Sequence, residues 1–376
     1  MRLVMIGGHL SPALSVIESL PKDTELLFVG RKHSFEGDRA LSLEYKTIHS
    51  LKIRFCEITS GRLQRKFTRY SISSLLKFPI GIIQSFFILR KFKPDVVLGF
   101  GGYVSLAVTL CAFLMRIPVV IHEQTLEAGF SNKIISIFAK KVCISWDSSR
   151  KYFPKEKTIL TGNPIRKFPI SNPSTSSGQV FQFPIDKKLP IIYVTGGSSG
   201  SHFINKLVEG CIKELSEKFV VIHQTGDSEF GDFDRLKNLR ESFDSSLRAR
   251  YVLRKFVEPS NIGSILKSCD LVVSRAGINT ITELIYFEKP GVLIPLPFSQ
   301  GNEQLKNARF LESHKLGKVI LQSEIDSKKL YNEVVLMAGD IEKYKLSKIE
   351  LGDLKGQEPA RKVIEVIKYV SEDKKS

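Results

Sequence analysis

The chain has 376 residues, 42% hydrophobic and 25% charged, which is ordinary globular composition with enough length for two domain cores. This excludes intrinsic disorder, a collagen repeat and a small disulfide scaffold as whole-chain descriptions. Lys+Arg number 56 against 39 Asp+Glu, a net charge of +17, and the excess sits in front: residues 1–170 hold 26 basic and 12 acidic residues, residues 171–376 hold 30 and 27.

Short apolar runs alternate with stretches of helical period. In chain order the predicted strands of the first half are Arg2–Ile6, Glu25–Val29, Val96–Phe100, Pro118–Ile121 and Val142–Ile144. Those of the second half are Pro190–Thr195, Phe219–His223, Arg250–Leu253, Leu271–Ser274, Gly291–Pro295 and Lys318–Leu321. A helix capped by Ser11, with Pro12 in its first turn, puts Ala13, Val16, Ile17 and Leu20 on one face. A single helix from Ser201 aligns Ile204, Leu207, Val208, Cys211, Ile212 and Leu215. Val104–Ile121 is apolar except for Arg116, but Pro118 divides it into a buried helix and a strand, so no membrane-spanning helix is expected. The apolar stretch at the N-terminus is too short for a signal peptide.

This alternation predicts an α/β fold of two doubly wound, Rossmann-like domains with parallel sheets covered on both faces. Ser171–Gln182 is rich in Ser, Pro and Gly and reads as a linker. The expected organisation is residues 1–165, a linker at 166–189, a second domain at 190–355, and a C-terminal helix within 356–376 free to pack back onto the first domain.

From Arg62 to Lys93 there are eight basic residues and no acid, interleaved with Phe67, Phe78, Ile80, Ile82, Ile83, Phe86 and Phe87. The pattern suits an anionic membrane surface, or a solvated basic helix whose apolar residues are core. Zinc-finger spacing, a ribonucleoprotein motif and basic-zipper heptads are all missing, so nucleic acid is not the expected partner. The five cysteines lie far apart in sequence, as reduced thiols of a cytosolic protein do, and form no zinc spacing.

Polar residues concentrate where predicted strands end, the edge at which open parallel sheets bind ligands. Gly7-Gly8-His9 follows the first strand, and an imidazole there is a candidate general base. Phe100-Gly101-Gly102-Tyr103 and His122-Glu123-Gln124 follow two others, the second read as a buried His–Glu pair shaping its loop. Arg166, in Thr161–Arg166, is a diphosphate clamp or a linker cation. The second domain opens on Gly196–Gly200, where Ser198 and Ser199 precede a helix: a phosphate cradle or a tight turn. Ser274–Glu283 follows, with Gly277, Ile278, Asn279 and Thr280 ahead of Glu283; that carboxylate accepts ribose hydroxyls or closes a capping box with Thr280. Gln300, Asn302, Glu303 and Gln304 crowd a later loop, as sugar hydroxyls or a capped helix start would require.

In order, GGHLSPA, GFGGYVS, HEQ, TGNPIR, GGSSGSHFIN, SRAGINTITE and GNEQLKNA cover about residues 2–310. The series resembles the glycosyltransferase family 28 enzymes of GT-B fold that act on undecaprenyl-linked muramoylpentapeptide, the MurG type. The resemblance implies two domains facing across a cleft and inverting transfer of N-acetylglucosamine from UDP-N-acetylglucosamine to the 4-hydroxyl of the lipid-linked muramyl sugar, converting lipid I to lipid II. This would occur peripherally on the cytoplasmic face of the plasma membrane, with no metal or other cofactor. His9 would be the base. Gly7 and Gly8 would form the acceptor-diphosphate loop, with Tyr103, Glu123 and Thr125 also lining the acceptor side. Arg166, Ser198, Ser199, the Ile278–Glu283 turn and Gln304 would contact the donor, Val257 would present backbone to uracil, and Glu283 would hold the ribose. The first glycine loop is about three residues shorter than the family's GGTGGH, Thr125 replaces an Asn and Ser199 a Gln. Two other readings share the fold: a UDP-sugar transferase acting on a membrane lipid such as diacylglycerol, and a non-catalytic membrane-surface binder.

Overall fold

The computed structural model describes the chain except for residues 34–40, 60–68, 166–188, 198–199, 228, 345–357 and 374–376, and the side chains of 69–77, 259–260 and 300. It divides into two units, Met1–Lys167 with Gly356–Ser376, and Phe168–Lys355.

The first unit holds β1 (Arg2–Ile6), β2 (Glu25–Gly30), β3 (Arg54–Glu57), β4 (Val96–Gly99), β5 (Val119–Glu123), β6 (Lys141–Ile144) and β7 (Thr158–Leu160). They form one parallel sheet in the order β3-β2-β1-β4-β5-β6-β7. Strand side chains alternate between faces. Val4, Ile6, Val97 and Ile121 join one core with the helices Arg69–Phe92 and Gly102–Leu114, while Leu3, Met5, Leu98 and Val120 join the opposite core. That second core is completed by the helix Pro359–Glu372, whose Val363, Ile364, Ile367 and Val370 are buried beside Ala13, Leu14 and Val16.

The second unit repeats the plan with β8 (Ile191–Thr195), β9 (Val220–Gln224), β10 (Tyr251–Arg254), β11 (Leu271–Ser274), β12 (Gly291–Leu293) and β13 (Gly317–Val319). All pair in parallel, in the order β10-β9-β8-β11-β12-β13. In both sheets the order reverses beside the first strand, between β1 and β4 and between β8 and β11, which is where doubly wound sheets open a crevice. These two sheets are those of a GT-B fold.

Several local expectations are corrected. Strands β3 and β7 were not anticipated. The first helix starts at Leu10 with His9, not Ser11, as its N-cap, so Pro12 lies inside the first turn. The single helix from Ser201 is two, His202–Glu209 and Ile212–Lys218. The break falls at Gly210, where a Cβ would come 2.3 Å from Ser327 Oγ. Glycine therefore lets the helix Ser327–Gly339 approach at the cost of helical continuity. Thr280 and Glu283 form no capping box, because the helix Ile278–Phe287 begins directly after Gly277.

If the last helix is part of the first unit's core, Ile367→Ala should remove about 2–5 kcal/mol from that unit's stability. Urea unfolding should show a lowered midpoint for the first unit's transition and an unmoved one for the second; a shift of neither would remove the helix from the core.

Candidate active site

In the first unit, β1, β4 and β5 deliver their loops side by side. Gly8 lies flat against the β4 loop: a Cβ on it would stand 2.4 Å from the Gly101 carbonyl oxygen. Gly101 and Gly102 both adopt φ near +80°, a left-handed geometry at the start of the helix Gly102–Leu114, and a Cβ on Gly102 would stand 3.5 Å from Gly8 Cα. Tyr103, in that helix's first turn, is half-buried. His9 follows Gly8 and is partly exposed at its edge. Burial holds its pKa below the ordinary imidazole value, with the Glu123 charge opposing. The shift favours the neutral imidazole, the form that accepts a proton.

His122 and Glu123 do not bond to each other, contrary to the expected pair. His122 Nε2 lies 3.2 Å from the Gly162 carbonyl and 3.4 Å from Ser145 Oγ, and burial pushes its pKa down to about 4. Glu123 is fully buried inside its own loop. One carboxylate oxygen accepts from Thr125 N–H at 3.0 Å and Thr125 O–H at 2.6 Å. The other accepts from Gly129 N–H at 2.8 Å and Asn132 Nδ2 at 3.0 Å. With four donors satisfied, Glu123 and Thr125 shape the loop and lend His9 a negative neighbour, instead of offering free polar atoms to a ligand.

In the second unit the glycine loop after β8 rises against the end of β9. Gly200, at φ +76°, would place a Cβ 2.1 Å from the Thr225 carbonyl oxygen. Gln224, itself accepting from Tyr193 O–H at 3.0 Å, donates to the Gly197 carbonyl at 3.2 Å. Ser201 caps the helix His202–Glu209, accepting from Ile204 N–H at 3.4 Å. The loop therefore presents a helix N-terminus, with its positive potential, on a braced backbone.

Arg275, within the Ser274–Glu283 stretch, has no role in the sequence reading and is the residue missed here. Its guanidinium is buried, donates to Ser201 Oγ at 3.1 Å and to the Ile294 carbonyl at 3.0 Å, and stacks 5.6 Å from the Phe203 ring. Burial draws its pKa down to about 10. No carboxylate among the described residues pairs with it. It ties the β8, β11 and β12 loops together and keeps a positive charge beneath the glycine loop. Nothing in Ser274-Arg275-Ala276-Gly277 marks the guanidinium as buried; the contacts that bury it come from distant segments.

Glu283 sits one turn into the helix Ile278–Phe287, with Ile278 buried, Asn279 exposed and Thr280 half-buried ahead of it. It has no ion-pair partner among the described residues, and desolvation alone raises its pKa to about 7. Gln304 folds back on its own loop: its Oε1 accepts from Leu296 N–H at 3.0 Å. Asn307, in the helix Glu303–Ser313 that also carries Gln304, anchors that helix to the β11 loop by donating to the Ala276 carbonyl at 3.1 Å. Val257 is buried just beyond β10. Arg166, Ser198 and Ser199 lie outside the described residues.

Comparison with known proteins gives the same two-part picture. The sequence model for the glycosyltransferase family 28 N-terminal domain matches residues 6–144, and that for the C-terminal domain matches residues 191–365. A protein of Bacillus cereus, named UDP-N-acetylglucosamine--N-acetylmuramyl-(pentapeptide) pyrophosphoryl-undecaprenol N-acetylglucosamine transferase 2, is 31% identical over 96% of this chain and 96% of its own. The Oenococcus oeni transferase of the same name, without the numeral, is 35% identical over 87% and 85%. Among solved structures, Acinetobacter baumannii MurG superposes with a TM-score of 0.71 at 23% identity, over 98% of this chain and 100% of that one, a likeness of fold. Two parallel sheets with glycine loops at their switch points, matched along nearly their whole length by both domain models, place this chain in glycosyltransferase family 28.

Proposed function

We propose that the protein transfers N-acetylglucosamine from UDP-N-acetylglucosamine to lipid-linked N-acetylmuramoyl-pentapeptide, forming lipid II for peptidoglycan. The observation that carries this is the 31–35% identity, over most of the chain, to relatives named for that reaction.

The chemistry follows from the loops. His9, neutral and next to Glu123, takes the proton from the muramyl 4-hydroxyl as that oxygen attacks the anomeric carbon. The Glu123 charge, which acts on the His9 ring, then stabilises the imidazolium. Attack from one face expels UDP from the other, with inversion. The departing diphosphate meets the N–H groups that open the helix His202–Glu209, reinforced by the positive charge of Arg275 beneath them. Arg166, Ser198 and Ser199 belong to this donor set in the proposal, and the Gln304 amide donates to sugar or phosphate oxygens. Gly7 and Gly8 approach the acceptor diphosphate through bare backbone, flanked by Tyr103. Val257 meets the uracil with its backbone, while Ile278, Asn279 and Thr280 set the turn from which Glu283 accepts both ribose hydroxyls. No step requires a metal: helix N–H groups and guanidinium charge do the electrostatic work.

The membrane reading is also proposed. No helix among the described residues is long and apolar enough to cross a bilayer. The helix Arg69–Phe92 nonetheless leaves Ile80, Ile83, Phe86 and Phe87 exposed, with Arg90, Lys91 and Lys93 exposed after them, while Ser85, Leu89 and Phe92 face the core. The apolar residues of this stretch thus split between core and surface. The neighbouring helix ends in Phe113 and Leu114, each at least half exposed. An apolar stripe bordered by cations fits the anionic surface that holds the lipid acceptor, on the cytoplasmic side where nucleotide sugars reside.

Glu283 gives the sharpest pH test. A carboxyl whose folded pKa is raised binds protons more readily in the native state. Stability is therefore lost as pH rises from about 4.5 through about 7. The ionised form is the one that accepts ribose hydroxyls. Donor affinity by calorimetry should fall as pH drops below about 7, and Glu283→Gln should flatten that dependence, weaken binding by roughly 1–3 kcal/mol, and raise thermal stability at pH 8. Unchanged donor affinity in the variant would remove Glu283 from the ribose site.

For the membrane face, Ile83→Glu with Phe87→Glu should abolish sedimentation with phosphatidylglycerol vesicles while UDP affinity stays intact. Wild-type binding should weaken from low to high salt, as Debye screening demands. Equal vesicle binding by the double variant would place the contact elsewhere.

A further inference from the structure

The first glycine loop has a partner that neither the motifs nor the reaction calls for. Glu44 lies 37 positions beyond Gly7 in sequence, in the first turn of the helix Leu43–Ser50. Its carboxylate sits directly under the loop. A Cβ built on Gly7 would meet three atoms first, and all three belong to the Glu44 carboxylate, the nearest at 1.8 Å. A Cβ on Gly30, at the end of β2, would meet the same carboxylate at 2.5 Å. Neither glycine needs a left-handed φ. What excludes a side chain at Gly7 is therefore the carboxylate and not the backbone conformation.

Glu44 is held there. The helix that carries it is capped by Ser42, whose Oγ accepts from Tyr45 N–H at 3.1 Å and donates to the Arg31 carbonyl at 2.7 Å. Ser42 N–H also donates to the Lys32 carbonyl at 2.8 Å. The helix start is thus pinned to the chain leaving β2. From that fixed point the carboxylate accepts from Arg31 N–H at 3.3 Å and from the Gly8 N–H. On its other side Gly8 is stopped by the Phe100 and Gly101 carbonyls, 2.7 and 2.4 Å from where its Cβ would be. The Gly7–Gly8 backbone is clamped between an acid below and the β4 loop beside it, and His9 is the next residue.

We infer that Glu44 is a positioning residue: by binding the Gly8 and Arg31 N–H groups in the space that Gly7 and Gly30 leave open, it fixes the loop that carries His9. The carboxylate itself touches no reacting atom. Its effect passes through two residues of backbone to the imidazole, where a displacement of about 1 Å costs on the order of a hundredfold in rate. This inference rests on the assignment of His9 as base.

The test compares Glu44→Gln, Gly7→Ala and the double variant in the full-length protein, by transfer kinetics and by NMR titration of the His9 ring. Glu44→Gln keeps the shape but turns one acceptor into a donor facing an N–H. Gly7→Ala pushes the carboxylate aside. Each single change should lower kcat at least tenfold with the donor KM unchanged, since the donor loops belong to the other unit. The double variant should be no worse than either single one, because both break the same clamp. In both single variants the His9 pKa should move up toward the ordinary imidazole value as the loop loosens and hydrates. Additive losses in the double variant, or an unmoved His9 titration with kcat intact, would overturn the inference. A lowered melting temperature with normal kcat would also overturn it, since that is what a purely structural carboxylate produces. Were the wild-type protein to show no transfer at all, the catalytic reading would fail, while the His9 titrations would still decide whether Glu44 sets the loop.

Discussion

Within each sheet every strand runs the same way, and a parallel sheet buried on two faces commits most of its side chains to packing. Backbone groups within the strands are spent on the ladder. Chemistry is therefore confined to the edge where all the strands end, and there the loops compete for room. The glycines follow from that crowding. Gly8 and Gly200 both lie so near a neighbouring carbonyl that one extra carbon would collide with it. The loops on which the proposed function depends are as closely packed as the core beneath them, so their polar groups are oriented by contact.

Charge at these edges is handled in three ways. Glu123 is buried and fully hydrogen-bonded, so it stays in place at little desolvation penalty. Arg275 is buried against carbonyls and an aromatic ring with no carboxylate partner among the described residues, so its charge is not neutralised by them. Glu283 is desolvated without compensation, which places its titration near neutrality. A group that is uncomfortable in the free protein gains most when a ligand supplies its missing hydrogen bonds, which is how binding energy is drawn from a site that costs stability.

Much of the scaffold could be read directly from the chain, because fully buried parallel strands are unbroken apolar runs. Arg2–Ile6 and Leu271–Ser274 have the same limits in sequence and structure. What escaped was peripheral or tertiary. Strand β3, Arg-Phe-Cys-Glu, lies at an edge with one neighbour and charges at both ends, and β7 is three residues long at the other edge. The Thr280–Glu283 spacing fits a capping box, yet Gly277 starts the helix earlier. The motifs around His9, Glu123 and Glu283 could be found as clusters of polar residues after strands. Arg275 and Glu44 could not be ranked that way: one resembles a turn residue, and the other resembles any acid on a surface helix. Their importance appears only when distant segments are brought together.

The helix Pro359–Glu372 covers Leu3, Met5 and Leu98 of the first unit, although the whole second unit is encoded between them. A ribosome therefore finishes the contiguous second unit before the first can be sealed. Through most of translation the part of the N-terminal sheet that this helix covers stands open beside the helix Leu10–Ser19, an apolar surface that chaperones recognise and that favours aggregation. Truncations near the C-terminus should thus be felt at the opposite end of the gene product, as a nascent chain that never closes its oldest part.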